Sequence, residues 1–153
     1  MEKIIEVVSI KQVKKSLPKK FQSSFEEGLP VVKSPNIVAE FLQKMIGDED
    51  RESFMVIGLD IKNRIVSVHR AHIGSLNSSV VHPRDVFKSL ILNNCASVIF
   101  AHNHPSGSCF ESPEDLEVTG RLVEVGKILG IEVLDHIIVS ETDFNSLATK
   151  GMM

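Results

Sequence analysis

The sequence is short of the features that mark exported or membrane-bound chains. It holds two cysteines, Cys95 and Cys109, which is too few for a disulfide framework and fits a reducing cytosol. No apolar run approaches the roughly 18 residues of a membrane span. The start, Met1-Glu2-Lys3, lacks the basic end and long apolar stretch of a secretion signal. These shortages predict a cytoplasmic protein with no membrane association. Positive charge is not in excess either: the net charge is −3 at pH 7, which argues against broad attraction to nucleic acid. The lysine-rich, acid-free stretch Lys11–Lys20 is a local candidate for an anionic partner, although a solvated face explains it as well. There is no internal repeat and no low-complexity tract. What is present is 42% apolar and 24% charged residues over 153 positions, enough for one soluble domain with a sizeable core.

Hydrophobic spacing divides the chain into elements. Ile4–Ile10 reads as a short strand, and Pro18, Gly28 and Pro30 mark a loop-like segment. Residues 1–33 are therefore expected to form an N-terminal arm, with the domain running from 34 to 153. Ser34-Pro35 is a capped helix start, and Ile37, Val38, Phe41, Leu42, Met45 and Ile46 recur at helical spacing up to Gly47. Asp48–Glu52 is an acidic linker. Ser53–Asp60 reads as a strand buried on both faces, and Ile65–Ile73 returns after a turn, predicting a hairpin. His82-Pro83 opens a helix whose Val86, Phe87, Leu90 and Ile91 face the core. Ser97–Ala101 is a short buried strand. A helix from Pro113 to about Leu129 carries the stripe Val118, Leu122, Val125 and Leu129 and stops at Gly130. Ile131–Val139 is a further strand, followed by a closing turn at Phe144–Leu147. Strands and helices interleaved in this way predict an α/β (α+β) fold with a mixed sheet flanked by helices.

The densest chemistry lies between residues 102 and 115. At a strand's period of two, His102 and His104 point to the same side, and Pro105 and Gly107 then stop the strand. Ser112-Pro113 is a helix start with proline where its missing N–H costs nothing. Asp115 falls in the first helical turn, where the helix dipole favours a carboxylate with or without a metal. Two imidazoles and one carboxylate leave a fourth tetrahedral position open, as catalytic zinc sites do. The same donors also suit iron, nickel or cobalt. Simpler accounts exist for each part: H-x-H alone is a weak signal, Ser112-x-x-Asp115 is also a capping box, and the loop alone is an ordinary connection. Cys109 lies in the same loop and offers a thiol, but the histidines and aspartate already form a set. His69, His72 and His82 have no partners at ligand spacing and read as structural or exposed.

Taken jointly, His102-x-His104, ten intervening residues and Asp115, with Ser112 three positions before the aspartate, resemble the JAMM signature of the MPN+ metalloprotease superfamily. His102-Asn103-His104-Pro105-Ser106-Gly107 and Leu134-Asp135-His136-Ile137-Ile138-Val139 are similar to its RadC-like branch, which bears a DNA-repair label. The similarity runs from about Glu52 to Gly151, around two thirds of the chain.

The resemblance implies a cytidine deaminase-like, metalloprotease-type fold and one zinc ion per chain on His102, His104 and Asp115. It implies a hydrolase that cleaves a peptide, isopeptide or related amide bond. Glu52 is the position that matches the family's general base, with Glu49 as the second candidate. Ser112 matches the serine that donates to the developing oxyanion, beside its plain role as a helix cap. Asp135 and His136 are candidates for supporting the metal ligands, although an ordinary core histidine also fits His136. The implied partner is a protein or peptide substrate. An alternative is a DNA-associated accessory domain with a structural or vestigial metal, and a weaker one is a metal-dependent nuclease, which prefers oxygen-rich magnesium sites. The helix-hairpin-helix module that some relatives carry upstream has no room here beyond the first 33 residues. The oligomeric state is open, with a dimer as one option. One departure stands out: the loop reads Ser108-Cys109-Phe110-Glu111-Ser112, where the branch commonly has an aspartate after the glycine and a proline before the serine. That changes the rim of the site and leaves the ligands in place.

Overall fold

The computed structural model describes residues 31–153. The expected strand at 4–10, the lysine-rich stretch 11–20 and most of the expected arm lie outside the described residues. The elements in chain order are α1 (Pro35–Ile46), β1 (Ser53–Leu59), β2 (Ile65–Ile73), α2 (Pro83–Leu92), β3 (Ser97–Asn103), α3 (Pro113–Leu129), β4 (Glu132–Val139) and β5 (Phe144–Ser146). The expected closing turn at 144 is thus a short strand. Val31 forms an antiparallel bridge to Arg64, so the described chain begins against the β1–β2 hairpin.

The five strands form one sheet in the order β2-β1-β3-β4-β5. β1 pairs antiparallel with both β2 and β3, β3 pairs parallel with β4, and β4 pairs antiparallel with β5. The parallel pair needs a crossover, and α3 supplies it. β3 therefore lies in the middle of the sheet, and all seven of its residues are buried.

Alternation along the strands creates two cores. Met55, Ile57, Leu59, Ile99, Ala101, Ile137 and Val139 face α1, whose Val38, Phe41, Leu42 and Ile46 cover them. Phe54, Val56, Val98 and Phe100 face α2 and α3, meeting Phe87, Leu90, Val118 and Leu122. Each fully buried apolar side chain of this kind contributes about 1.5–3 kcal/mol. The apolar stripes end sooner than their spacing suggests: Ile91 and Leu129, both expected to face the core, are exposed. Gly126 lets α3 approach β4 closely, since a Cβ there would stand 2.5 Å from the Ile131 carbonyl. Gly130 ends α3 at φ +72°, as expected of a glycine stop.

An irregularity in the β3–β4 pair decides which way His136 faces. Val98 lies opposite Val133 but Ile99 lies opposite Asp135, so β4 carries an extra residue at that step. Plain alternation would put His136 on the face of Leu134, which packs in the α1 core. The shifted register instead sets His136 opposite Phe100, on the α3 side, one alternation from His102. None of the described helices is long and apolar enough to cross a membrane.

Candidate metal centre

The C-terminal end of β3 meets the N-terminus of α3 beyond the carboxyl end of the parallel β3–β4 pair, the place where α/β folds gather ligands. His102 is the sixth residue of β3 and is fully buried. His104 lies just past the strand, yet its N–H still donates to the Val139 carbonyl at 3.0 Å, which keeps the pleat and leaves both imidazoles on one side. Asp115 comes from α3. Ser112 Oγ accepts from the Asp115 N–H at 3.1 Å, and the Ser112 N–H donates to Asp115 Oδ2 at 2.8 Å, closing a reciprocal capping box. The other two helix starts among the described residues, at Ser34 and His82, hold the cap position without any side-chain cap bond. The box at Ser112 orients the carboxylate as well as starting the helix.

The result is a compact donor group. His102 Nε2 and His104 Nε2 lie 2.9 Å apart. Asp115 Oδ1 lies 3.2 Å from the first and Oδ2 3.5 Å from the second. Among the described residues these three form a group able to hold a metal ion. Tetrahedral coordination with ordinary zinc bond lengths puts neighbouring ligand atoms about 3.3 Å apart, close to what is seen.

Electrostatics point the same way. His104 Nδ1 lies 2.7 Å from the Ser108 carbonyl, which can only accept, so in the neutral ring Nδ1 carries the hydrogen and Nε2 a lone pair. That lone pair faces carboxylate oxygens and a second imidazole nitrogen, an arrangement that requires a cation at its centre, either a proton or a metal ion. The hydrogen bond with Asp115 raises the His104 pKa, against partial burial. Burial opposes ionisation of Asp115, but the His102 and His104 contacts outweigh it and hold the carboxyl well below the usual range.

A cleft of about 390 Å³ opens onto this group, lined by Glu52, Leu76, His104, Ser112, Glu114 and Asp115 among others. Glu52 is held there by the Leu76 N–H, 2.9 Å from Oε2, and by the Gly74 N–H on its own carbonyl at 2.8 Å. Its rival Glu49 is occupied elsewhere, accepting from Ser53 Oγ at 2.5 Å and Arg70 Nη2 at 2.7 Å. Ser112 lines the cleft while capping α3.

The remaining expectations separate. His136 is fully buried beside His102, with 2.8 Å between its Nε2 and His102 Nδ1. Phe54 and Phe100 meet its ring edge-on. Burial, with His102 next, pushes its pKa well below the ordinary value. Asp135 does not touch the donor group. It accepts from Ser146 Oγ at 2.6 Å, the Ala148 N–H at 3.1 Å and the His136 N–H at 2.7 Å, so it ties β4 to the C-terminal turn. Cys109 lies instead in a small buried cluster with Ile138 and Leu147, where burial raises its thiol pKa. Two residues at the site carry no sequence signal of their own. Thr119 is a lone threonine inside a helix, and Asn103 is the middle residue of H-x-H; Thr119's spacing of one helical turn from Asp115 is the one hint either offers.

Comparison with known proteins gives a family match. The family model for the RadC-like JAB domain matches residues 32–152. A UPF0758 protein from Rubrobacter xylanophilus is 50% identical, covering 82% of this chain and 55% of that protein. Relatives of the same name from Syntrophomonas wolfei and Methanosarcina mazei are 45% and 42% identical, covering 80% and 90% of this chain and 54% and 60% of their own lengths. The chain thus spans little more than half the length of the curated relatives it matches.

Proposed function

The chain belongs to the RadC-like JAB domain family, and on that footing we propose that it is a zinc-dependent hydrolase of JAMM type, cleaving a peptide, isopeptide or related amide bond. The observation that carries this reading is the convergence of His102, His104 and Asp115, the last two of which line the cleft that also holds Glu52 and Ser112. His102, His104 and Asp115 would hold one zinc ion per chain. When bound, the ion supplies Lewis acidity for activating water and polarising a carbonyl.

The chain's own groups do the rest. Glu52, half-buried and fixed by the Leu76 N–H, is the general base that takes a proton from water and delivers it to the leaving nitrogen. Ser112 Oγ accepts from the Asp115 N–H, so its own hydrogen is left for the oxyanion that develops on the attacked carbonyl. The cleft lining contains the carboxyl groups of Glu52, Glu114 and Asp115 and no lysine or arginine. That favours an amide substrate in a protein or peptide over a phosphodiester, and it weighs against the DNA-associated alternative. A cytoplasmic setting fits the sparse, buried cysteines.

The test uses a mixed peptide library with products read by mass spectrometry, alongside metal analysis. Zinc-dependent cleavage is expected in the wild type. Glu52→Gln is expected to retain zinc and lose cleavage; a Glu52→Gln protein that still cleaves removes the assignment.

A further inference from the structure

We infer that Thr119 and His136 form a buried positioning relay that fixes the tautomer of His102 and so aims its Nε2 lone pair at the donor group. The inference rests on the metal-binding reading above, but its geometric part stands independently of any ion.

Counting donors fixes the direction of every bond in the relay. Thr119 Oγ1 lies 2.6 Å from the Asp115 carbonyl, one helical turn earlier. A carbonyl can only accept, so the single hydroxyl hydrogen goes there. Thr119 Oγ1 is also 2.5 Å from His136 Nδ1. Having spent its hydrogen, the hydroxyl must accept at that contact, so His136 carries its hydrogen on Nδ1. In a neutral ring Nε2 is then bare, and it accepts from His102 Nδ1 at 2.8 Å. His102 in turn is left with a bare Nε2, the atom that faces His104 and Asp115. Each step forces the next.

Burial makes the direction binding. His102 and His136 are 0% exposed, Thr119 1% and Asp115 2%, so solvent offers no substitute partners. The relay also closes on itself. Asp115 presents its carboxylate to the donor group and its carbonyl to Thr119, so one residue anchors both ends. An ordinary core histidine needs only to be satisfied, and either tautomer would do. Here the opposite direction, with Thr119 donating to His136, would put a hydrogen on His102 Nε2 and block it as a ligand. Orienting contacts of this kind to metal-bound histidine typically change metal affinity about 10–100-fold when removed.

Two measurements test the relay. The first is a long-range nitrogen–proton NMR spectrum of the imidazoles in zinc-free wild-type protein at neutral pH. Both His102 and His136 are expected to carry a hydrogen on Nδ1; a ring of either residue without a hydrogen on Nδ1 overturns the proposal without reference to metal. The second is zinc affinity by competition with a chromophoric chelator. Thr119→Val, which keeps the shape and removes the acceptor, is expected to bind zinc about 10–100-fold more weakly, with Thr119→Ser restoring the wild-type value. A Thr119→Val protein that binds zinc as tightly as wild type also overturns the relay. A wild type that takes up no zinc but shows the two expected tautomers sinks the metal reading and upholds the relay. Should the valine variant not fold, the wild-type spectrum decides alone.

Discussion

The side-chain amide of Asn103 clasps the main chain on either side of Glu52. Asn103 Oδ1 accepts the Ser53 N–H at 2.6 Å, while Nδ2 donates to the carbonyls of Arg51 at 2.9 Å and Glu49 at 3.4 Å. The residue between the two candidate ligands thus faces away from them and holds the loop that carries the candidate base.

Asn103→Ala is therefore expected to separate base positioning from metal binding. Losing a fully buried amide that makes these bonds costs about 1–3 kcal/mol of stability. Hydrolysis is expected to drop well below wild type while zinc content stays at one per chain. Metal analysis and steady-state rates on the same preparation check this, and unchanged rates would refute it.

The raised pKa of His104 sets a pH dependence with opposite signs in two states. Without metal, a histidine whose folded pKa exceeds its unfolded value of about 6.5 adds stability below that value and loses it as pH rises through the folded one. With zinc, the ion competes with the proton on His104, so affinity is expected to rise with pH through the same window and then level off. Chelator competition from about pH 6 to pH 8 reads this out; a flat profile contradicts it.

Asp135 offers a test away from the donor group. Burial raises its pKa, so its contribution to stability is full below the unfolded value near 3.8 and declines as pH rises through the folded one. Asp135→Asn keeps an oxygen for the His136 and Ala148 N–H groups and can donate to Ser146 Oγ. The variant is expected to be at least as stable as wild type at pH 7 and to lose the downward slope above about pH 4. Thermal unfolding across pH checks it, and strong destabilisation at neutral pH would sink it.

Ser112 caps α3, and substitution can separate that cap from the oxyanion role proposed for it. Ser112→Ala is expected to lose about 1 kcal/mol with the cap and at least roughly 100-fold in turnover with the oxyanion donor. Ser112→Asp restores an acceptor for the Asp115 N–H but brings no hydrogen of its own. Stability is then expected to recover while turnover does not. Urea unfolding beside kinetics distinguishes the cases; an alanine variant with full turnover would leave Ser112 as a cap only.

Much of this site could be read from the chain because its signals are local. Strand period two puts His102 and His104 together, and Ser112-Pro113 with an acid in the first turn announces α3. Both lie within a few residues, where backbone geometry alone decides. Thr119, Asn103 and the facing of His136 were not legible, for a shared reason. Each depends on register between elements distant in sequence: Thr119 meets a ring 17 positions away, and Asn103 reaches a strand 50 positions earlier. The extra residue in β4 is likewise invisible to periodicity, and it reverses the face that plain alternation would give His136. Ile91 and Leu129 erred in the opposite direction, since a stripe at helical spacing does not reveal how far along a helix the sheet beneath it extends.

The capping box at the start of α3 also fixes the carboxylate by contacts within the chain. Asp115 takes its orientation from the Ser112 main chain, a bond made when the helix forms, and His102 sits in a strand hydrogen-bonded along both edges. These contacts are made by the chain alone and involve no ion. On the proposed zinc reading, chelation is expected to strip the protein without unfolding it and resupply to refill it, so that the free zinc level would act as a tap on the proposed chemistry.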